Sequence, residues 1–253
     1  MSNVYRAIII GATSGIGREV ARHLSRHGVI LGIAGRRRDR LEQLATELGK
    51  DRLFIAEMDV THENATQALD ALIAELGAPD LLLYAAGIGK QNPTLDECIE
   101  CNTVLTNSLG MVRIVDHFLN YVKRDARYTP QHKAHIGVIS SVAGTKGLGS
   151  APAYSATKSM QSCYLTALSQ HVRMEHIPAI FSDIRPGFVA TEILNPEKHY
   201  PMLMSVEKAA RCILRGLRRK HRIIIFDWRF KLLVLLWRLI PRPIWERLTI
   251  VRN

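Results

Sequence analysis

Short apolar runs alternate with amphipathic helical patterns along most of the chain. The runs are rich in Val, Ile and Leu and are nearly continuous, which is typical of strands covered by helices on both faces. They predict seven strands, at residues 4–10, 29–34, 53–57, 81–84, 135–140, 179–184 and 223–226. The segments between them predict helices at 15–27, 37–48, 64–76, a long helix ending near Tyr121, 153–175 and 206–217. This order predicts an α/β fold with a Rossmann-type, doubly wound parallel sheet and helices on both faces.

Charge is distributed unevenly along the 253 residues. The chain carries 34 Lys and Arg against 23 Asp and Glu, a formal net charge of +11. Residues 211–253 hold twelve of the basic residues and two of the acidic ones, so residues 1–210 are nearly neutral. No recognised nucleic-acid-binding module accompanies this charge, and we expect no nucleic-acid partner. No linker, repeat or low-complexity stretch divides the chain, so we expect one domain in which residues 228–253 extend a body at 1–227.

The four cysteines are too few and too scattered for a secreted disulfide framework. Cys98 and Cys101 form a CxxC pair, but no second pair or nearby His set completes a metal site. We therefore expect reduced, packed thiols and no metal. The N-terminal residues do not form a secretory signal, and no stretch has the ~20 apolar residues of a membrane-spanning helix. These features favour a cytoplasmic protein.

A glycine-rich turn directly follows the first predicted strand. It reads GATSGIG from Gly11 to Gly17, a GxxxGxG spacing rather than the commoner GxGxxG. The backbone N–H groups of such a turn, together with the partial positive charge of the following helix, bind a pyrophosphate. The predicted cofactor contacts in this turn are Gly11, Thr13, Ser14, Gly15, Ile16 and Gly17.

The turn after the second predicted strand indicates which dinucleotide is bound. An NAD-binding sheet usually places an Asp or Glu there to hold the ribose 2′-hydroxyl. This chain has Arg36, Arg37 and Arg38 instead, and guanidinium groups bind a 2′-phosphate that a carboxylate would repel. We expect the cofactor to be NADP(H), held first by Arg36 and second by Arg37.

Tyr154 and Lys158 are four residues apart in a predicted helix, so both project from one face. A neighbouring ammonium, helped by the positive charge of a nicotinamide, lowers the pKa of a tyrosine and makes it a usable proton donor to a developing alkoxide. Ser141, at the end of the preceding strand, is placed to hydrogen-bond the same carbonyl oxygen. The three residues predict interconversion of a carbonyl and an alcohol.

Together these motifs resemble the short-chain dehydrogenase/reductase family, with a likeness that runs from Val4 to about Phe226. The resemblance implies a catalytic tetrad of Asn107, Ser141, Tyr154 and Lys158. In it, Tyr154 is the acid/base, Ser141 positions the carbonyl, Lys158 binds the nicotinamide ribose, and Asn107 holds a relay water.

The resemblance also implies further cofactor contacts and an assembly. Asp59 and Val60 would border the adenine, and Val189 and Thr191 would contact the nicotinamide carboxamide. The other implied contacts are Ala86, Gly87, Pro186, Gly187, Tyr154 and Lys158. The chain departs from the family pattern at Ile10, where Thr is usual, and at Ala85, where Asn is usual. Relatives are often homodimers or homotetramers, and we expect the same here.

The C-terminal extension is both apolar and basic. Residues 228–240 include two Trp residues, and Lys231, Arg238 and Arg242 fall near one helical face. A basic amphipathic helix with Trp anchors favours binding to a membrane surface through residues 228–250. A lid over an apolar substrate pocket and a subunit interface are the alternatives, and one helix can serve two of these purposes.

These features predict an NADP(H)-dependent oxidoreductase that interconverts a ketone or aldehyde and an alcohol on an apolar, lipid-like substrate. The extension motivates the apolar substrate. The alternative is a non-catalytic dinucleotide-binding or membrane-associated scaffold, although no tetrad residue is missing. Residues 194–203, which include Pro196, Pro201 and Met202, are expected to govern specificity, either as a mobile apolar lid or as part of the core.

Overall fold

Seven parallel strands form a single sheet in the computed structural model, which describes residues 5–195, 197 and 199–248. The strands are β1 Arg6–Ile10, β2 Ile30–Gly35, β3 Leu53–Glu57, β4 Leu81–Tyr84, β5 Ala134–Ile139, β6 Ala179–Ile184 and β7 Ile223–Ile224. Their order across the sheet is β3-β2-β1-β4-β5-β6-β7, and every neighbouring pair is parallel. The winding reverses between β1 and β4, where such sheets bind their ligands beyond the carboxyl ends of the strands.

Helices cover both faces of the sheet. They are α1 Gly15–Arg26, α2 Arg38–Leu48, α3 Ala65–Leu76, α4 Glu97–Val104, α5 Gly110–Arg124, α6 Pro152–Met174, α7 Val206–Arg218, α8 Trp228–Leu239 and α9 Arg242–Arg247. Short 3₁₀ turns form at Lys50–Arg52 and Val142–Thr145, and a π-helical turn at Leu105–Leu109 joins α4 to α5. The predicted α/β fold is confirmed.

The core consists of two apolar layers, because successive side chains of a strand point to opposite faces. Ile8 of β1 packs in the layer beneath α3, α5 and α6, whereas Ile9 packs in the layer beneath α1, α2 and α7. Both residues are fully buried. This two-sided burial explains why the strands are continuous apolar runs in the sequence.

Most element boundaries lie within one residue of the sequence prediction, and the larger differences include the following. The first strand begins at Arg6, while Val4 lies outside the described residues. The predicted long helix is interrupted by the π-helical turn at Leu105–Leu109. The last strand ends at Ile224 rather than at residue 226, because it pairs with β6 at only two positions before the chain turns into α8.

The C-terminal extension packs on the body through one side of α8. Phe230 and Val234 are buried against Val142, with Leu233 and Met202 beside them. Two hydrogen bonds anchor the segment after α8, from Lys146 Nζ to Ile240 O at 2.9 Å and from Trp245 Nε1 to Gly147 O at 2.7 Å. Within the described residues, no helix has the length and apolar character needed to cross a membrane.

The cysteines are unpaired, but the expectation that they are packed is wrong for three of the four. Cys98 and Cys101 are exposed on α4 and Cys163 is exposed on α6, while Cys212 is half-buried. The outward faces of these two helices account for the difference. In the part of the chain that the structure describes, no group of three His, Cys, Asp or Glu residues is arranged to hold a metal ion.

Candidate active site

A cavity of about 410 Å³ opens beyond the carboxyl ends of the central strands. Eighteen of the twenty predicted site residues line it: Gly11, Thr13, Ser14, Gly15, Ile16, Gly17, Arg36, Arg37, Val60, Ala86, Gly87, Ser141, Tyr154, Lys158, Pro186, Gly187, Val189 and Thr191. Asp59 and Asn107 are not in its lining. The structure therefore brings together residues that are far apart in the sequence, from the loops after the first six strands and from the starts of α1 and α6.

The glycine-rich turn has a backbone that side chains would obstruct. Gly11 has φ +91°, and a Cβ there would lie 2.5 Å from Ala86 N. A Cβ on Gly17 would lie 2.3 Å from Gly11 O, so α1 approaches β1 this closely only with glycine. The first turn of α1 contains no acidic residue to offset its positive end. The turn is therefore a tight, positively polarised cradle of the kind that binds phosphate groups.

The two predicted arginines differ in their surroundings. Arg37 donates hydrogen bonds to Thr13 Oγ1 at 3.0 Å and to Ser14 Oγ at 2.9 Å, which ties it to the glycine-rich turn. Arg36 is more exposed and lies 3.9 Å from Asp59. Arg37 is thus the better fixed of the two cations, although the sequence placed Arg36 first.

Glu192, in the loop after β6, faces Arg37 and a further arginine, Arg40. Its carboxylate accepts hydrogen bonds from Arg37 Nη1 at 3.2 Å and from Arg40 Nη1 at 2.5 Å. These hydrogen bonds, from Arg40 first and then Arg37, lower the pKa of Glu192. Glu192 lines the cavity but was not predicted, because nothing in the sequence pairs it with residues about 150 positions earlier.

Tyr154 lies in the first turn of α6, with its hydroxyl beside Ser141. Burial raises the pKa of Tyr154, and the hydrogen bond with Ser141 lowers it by less. The ammonium of Lys158 lies 5.7 Å from the centre of the Tyr154 ring. The expected lowering of this pKa involves Lys158 together with a bound nicotinamide and stays a prediction, whereas in the protein alone desolvation is the larger effect.

Lys158 is buried, and its ammonium is held by neutral groups. Nζ donates to Ile139 O at 2.8 Å and to Gln161 Oε1 at 3.1 Å. Burial lowers the pKa of Lys158 to about 7, while the negative charge of Asp183 acts in the opposite direction. A lysine with a pKa near neutrality responds strongly to any charge brought into the cavity that it lines.

Asn107 lies behind the cavity, in the π-helical turn. Its Oδ1 accepts from Ile88 N at 2.9 Å, and its Nδ2 donates to Ile88 O and to Thr157 Oγ1. The side chain therefore braces the loop after β4 against α6. Such turns are frequent at functional sites. In this position Asn107 shapes the site without lining the cavity.

Two further structural features support the site and were not predicted. Glu100 of α4 accepts a hydrogen bond from Ala153 N at 2.7 Å and caps the start of α6, where residue 151 offers no capping side chain. Behind Ser141, the buried carboxylate of Asp183 accepts from Ser140 and pairs with Arg185 at 2.6 Å. The bonds of Glu100 to Ala153 and of Ser140 to Asp183 join elements distant in sequence, so no local pattern could predict them.

The fold and the position of the glycine-rich turn define a Rossmann-type nucleotide-binding protein. A family model described as short chain dehydrogenase matches residues 5–200. The chain belongs to the short-chain dehydrogenase/reductase family of oxidoreductases.

Individual relatives agree with this assignment. An uncharacterized oxidoreductase of Myxococcus xanthus is 30% identical over 250 residues, covering 95% of this chain and 94% of the relative. An 11-beta-hydroxysteroid dehydrogenase-like protein of Arabidopsis thaliana is 29% identical over 232 residues, covering 86% of this chain and 72% of the relative. A short-chain dehydrogenase/reductase of Burkholderia phymatum, solved with NAD, has the same fold at a TM-score of 0.79, with 20% identity and 92% of each chain covered.

Proposed function

We propose that this protein is an NADP(H)-dependent oxidoreductase that interconverts a ketone or aldehyde and an alcohol on an apolar substrate. One observation carries the proposal: Ser141, Tyr154 and Lys158 line the same cavity as the glycine-rich turn and the paired arginines. A scaffold without catalytic activity has no need for three such polar side chains at the end of its nucleotide cavity. The alternative of a non-catalytic scaffold is therefore disfavoured.

The residues present fit a nicotinamide dinucleotide phosphate. The cradle suits a pyrophosphate, because it offers the backbone N–H groups of a helix start and has no Cβ at Gly11 and Gly17. Arg36 and Arg37 would hold the 2′-phosphate, with Arg37 already oriented by Thr13 and Ser14. When bound, the reduced nicotinamide supplies a hydride to the carbonyl carbon.

The protein's own side chains bind the substrate carbonyl oxygen and supply the proton that it receives. Ser141 and Tyr154 donate hydrogen bonds to the substrate carbonyl oxygen, which orients it and stabilises the charge that develops there. Tyr154 then gives its hydroxyl proton to that oxygen as a general acid. Lys158 stabilises the resulting phenolate with its charge. In the oxidative direction the same groups act in reverse, with Tyr154 as the base.

The apolar substrate is inferred from the surroundings of the cavity beyond Tyr154. Ile88, Val189, Ile193 and Leu194 contribute apolar side chains to its lining. Next to this region, Phe188 packs with Phe230 of α8 at a ring-centre distance of 6.1 Å. An apolar wall selects for substrates with little polar surface, because an unpaired polar group would be costly to bury there. Of the loop at residues 194–203, Pro196 lies outside the described residues.

The opposite side of α8 supports a second proposal, that the protein binds a membrane surface. About half a helical turn away from buried Phe230 lies a second apolar row, which we call the outer stripe. It consists of Trp228, Leu232, Leu235, Leu236 and Leu239, all exposed. Lys231 and Arg238 flank it on one side and Arg229 on the other. An exposed apolar row between basic residues matches an anionic bilayer, whereas a subunit interface would not explain the charges.

The cofactor proposal is tested by measuring reduction of ketones of increasing chain length with NADPH and with NADH. We expect NADPH to be preferred and kcat/KM to rise with chain length. Arg36→Asp combined with Arg37→Ala should reverse the cofactor preference. Arg38→Ala is the matched control, because Arg38 is an exposed neighbour that pairs with Glu42 at 2.8 Å. An unchanged preference in the double variant would refute the assignment of NADP(H).

The membrane proposal is tested by flotation of the full chain with vesicles that contain or lack anionic lipid. We expect binding to the anionic vesicles, and its loss in a variant with Leu232→Gln and Leu236→Gln. Met174→Gln, which changes an exposed apolar residue on α6, is the control. If the wild type does not float with anionic vesicles, the proposal is wrong. If the double variant still floats but has a lower molecular mass in solution than the wild type, the outer stripe is a protein interface and the proposal is also wrong.

A further inference from the structure

The buried side chain of Gln161 joins Lys158 to the main chain of Asn107. Its Oε1 accepts from Lys158 Nζ at 3.1 Å, and its Nε2 donates to Asn107 O at 2.7 Å. Chemistry fixes this orientation of the amide, since an ammonium only donates and a carbonyl oxygen only accepts. Gln161 has no exposed surface. The connection between two proposed tetrad residues is thus made directly by a third side chain.

The family resemblance implied a different arrangement, in which Asn107 holds a relay water. A water can give up one proton while taking another, whereas a carboxamide keeps both of its protons at neutral pH. The other acceptor of Lys158 is the carbonyl of Ile139, which does not titrate either. Neither partner therefore offers Lys158 a path for protons into the protein interior.

We propose that Gln161 is a positioning residue that holds Lys158 in place and occupies the position of a relay water, so that Tyr154 regains its proton from the cavity. This inference rests on the proposed function, because it concerns the proton cycle of Tyr154. It separates two roles of Lys158. The ammonium would act through its charge and its hydrogen bonds, and would not itself accept and donate a proton in a relay.

The charged groups around Lys158 determine how it responds to a change at position 161. Asp183 of β6 favours the ammonium, but its carboxylate is already held by Arg185 and Ser140. Tyr154 presents its ring to the ammonium from one turn earlier on α6. Gln161 contributes a neutral acceptor at bonding distance. A carboxylate at the same position would favour the ammonium and raise the pKa of Lys158 above about 7.

Two substitutions distinguish this role from simple packing. Gln161→Ala removes the amide and leaves space for a water between Lys158 Nζ and Asn107 O, two polar partners that would hold it. Gln161→Met fills the space with an apolar chain, so Asn107 O loses this donor and Lys158 Nζ keeps only Ile139 O as an acceptor. We expect the Ala variant to retain at least ~10-fold more kcat than the Met variant. A packing role predicts the reverse order, because Met conserves volume, and that order would overturn the proposal.

The isosteric change Gln161→Glu tests the electrostatic part. We expect the pH at which kcat falls on the alkaline side, and the pH at which NADPH affinity changes, both to rise by about one pH unit or more, because the carboxylate raises the pKa of Lys158. Thr157→Val is the control, since it removes a neighbouring bond between α6 and Asn107 without touching Lys158. A profile that does not move in Gln161→Glu, or that moves equally in Thr157→Val, would overturn the proposal.

The binding profile keeps this test separate from the proposed reaction. If the wild type reduces no carbonyl compound, the proposed function fails. The pH dependence of NADPH affinity in Gln161→Glu still shows whether Gln161 governs Lys158, because Lys158 lines the cavity.

Discussion

The ring of Phe230 packs directly on Gly187. A Cβ on Gly187 would lie 2.2 Å from Phe230 Cε2, so the ring occupies the space that any side chain at that position would need. Gly187 lines the cavity from the loop after β6, and Phe230 belongs to α8 of the C-terminal extension. The extension is therefore built into the wall of the candidate active site.

This contact predicts that Phe230→Ala loosens the extension and the loop together. Phe230 is almost fully buried, and truncating such a ring costs about 3–5 kcal/mol in a core. Because α8 packs on the body through one side only, we expect local opening rather than global unfolding. Hydrogen exchange should accelerate by about tenfold or more in residues 228–239 and 186–189. Leu236→Ala, an exposed change on the same helix, should have no such effect. Unchanged exchange in 186–189 would show that the loop does not depend on α8.

Glu192 is expected to compete with the cofactor for Arg37. Its carboxylate pairs with Arg37 and Arg40 at the position proposed for the 2′-phosphate. Glu192→Gln should therefore tighten NADPH binding by about two- to fivefold, the scale of an exposed ion pair, and change NADH binding less. Glu42→Gln, which removes a comparably exposed partner of Arg38, serves as the control. The dissociation constants are measured by fluorescence titration at low and high salt. Weaker NADPH binding in Glu192→Gln would mean that Glu192 organises the arginines for the cofactor.

Glu100 is expected to keep Tyr154 in place. It caps α6 at Ala153 N and also accepts from Asn92 Nδ2 at 2.8 Å. Loss of a cap costs about 1–2 kcal/mol, which corresponds to a fall in Tm of about 2–8 °C for a chain of this size. In Glu100→Ala we expect this loss together with a lower kcat and an unchanged affinity for NADPH. Glu97→Ala, an exposed change in the same helix, is the comparison. A fall in Tm with a normal kcat would show that the cap does not position Tyr154.

The buried His135 predicts a loss of stability in acid. Desolvation lowers the pKa of His135 to about 4, while its hydrogen bond to Ser182 Oγ is 2.8 Å long. In the unfolded chain this group titrates near 6.5, so as the pH falls the unfolded state takes up the proton first. The free energy of unfolding should therefore decrease between pH 6.5 and 4, by at most about 3 kcal/mol from this residue.

Urea unfolding at several pH values in this range measures the effect. His135→Gln keeps a side-chain donor but does not titrate, so the variant should show a smaller decrease than the wild type. Equal decreases in the two proteins would assign acid lability to other groups.

The sequence was sufficient for those parts of the site that depend on local chain geometry. A turn that needs a positive φ at Gly11, and no Cβ at Gly17, is visible as glycines immediately after a strand. The four-residue spacing of Tyr154 and Lys158 places both on one helical face. The parallel sheet then brings these local motifs together, because all its strands end at the same edge.

The remaining parts of the site depend on how helices pack, which a single sequence does not reveal. In the sequence, Gln161 is an ordinary helix residue. Its role depends on the packing of α6 against the π-helical turn, which places Asn107 O within hydrogen-bond distance of Gln161. Glu100 becomes a cap only when α4 lies beside the start of α6. The pKa of Tyr154 could not be predicted from spacing either, since it reflects the balance between burial and charge.

The most direct test of the central claim is the rate of carbonyl reduction in Tyr154→Phe, measured alongside NADPH affinity. Tyr164→Phe is the matched control, since the Tyr164 hydroxyl bonds to Asp116 and does not line the cavity. We expect Tyr154→Phe to lose at least a hundredfold in kcat, the roughly 10²- to 10⁴-fold contribution of a general acid, with NADPH affinity within about twofold of the wild type. A Tyr154→Phe variant that reduces the substrate as fast as Tyr164→Phe would contradict the account.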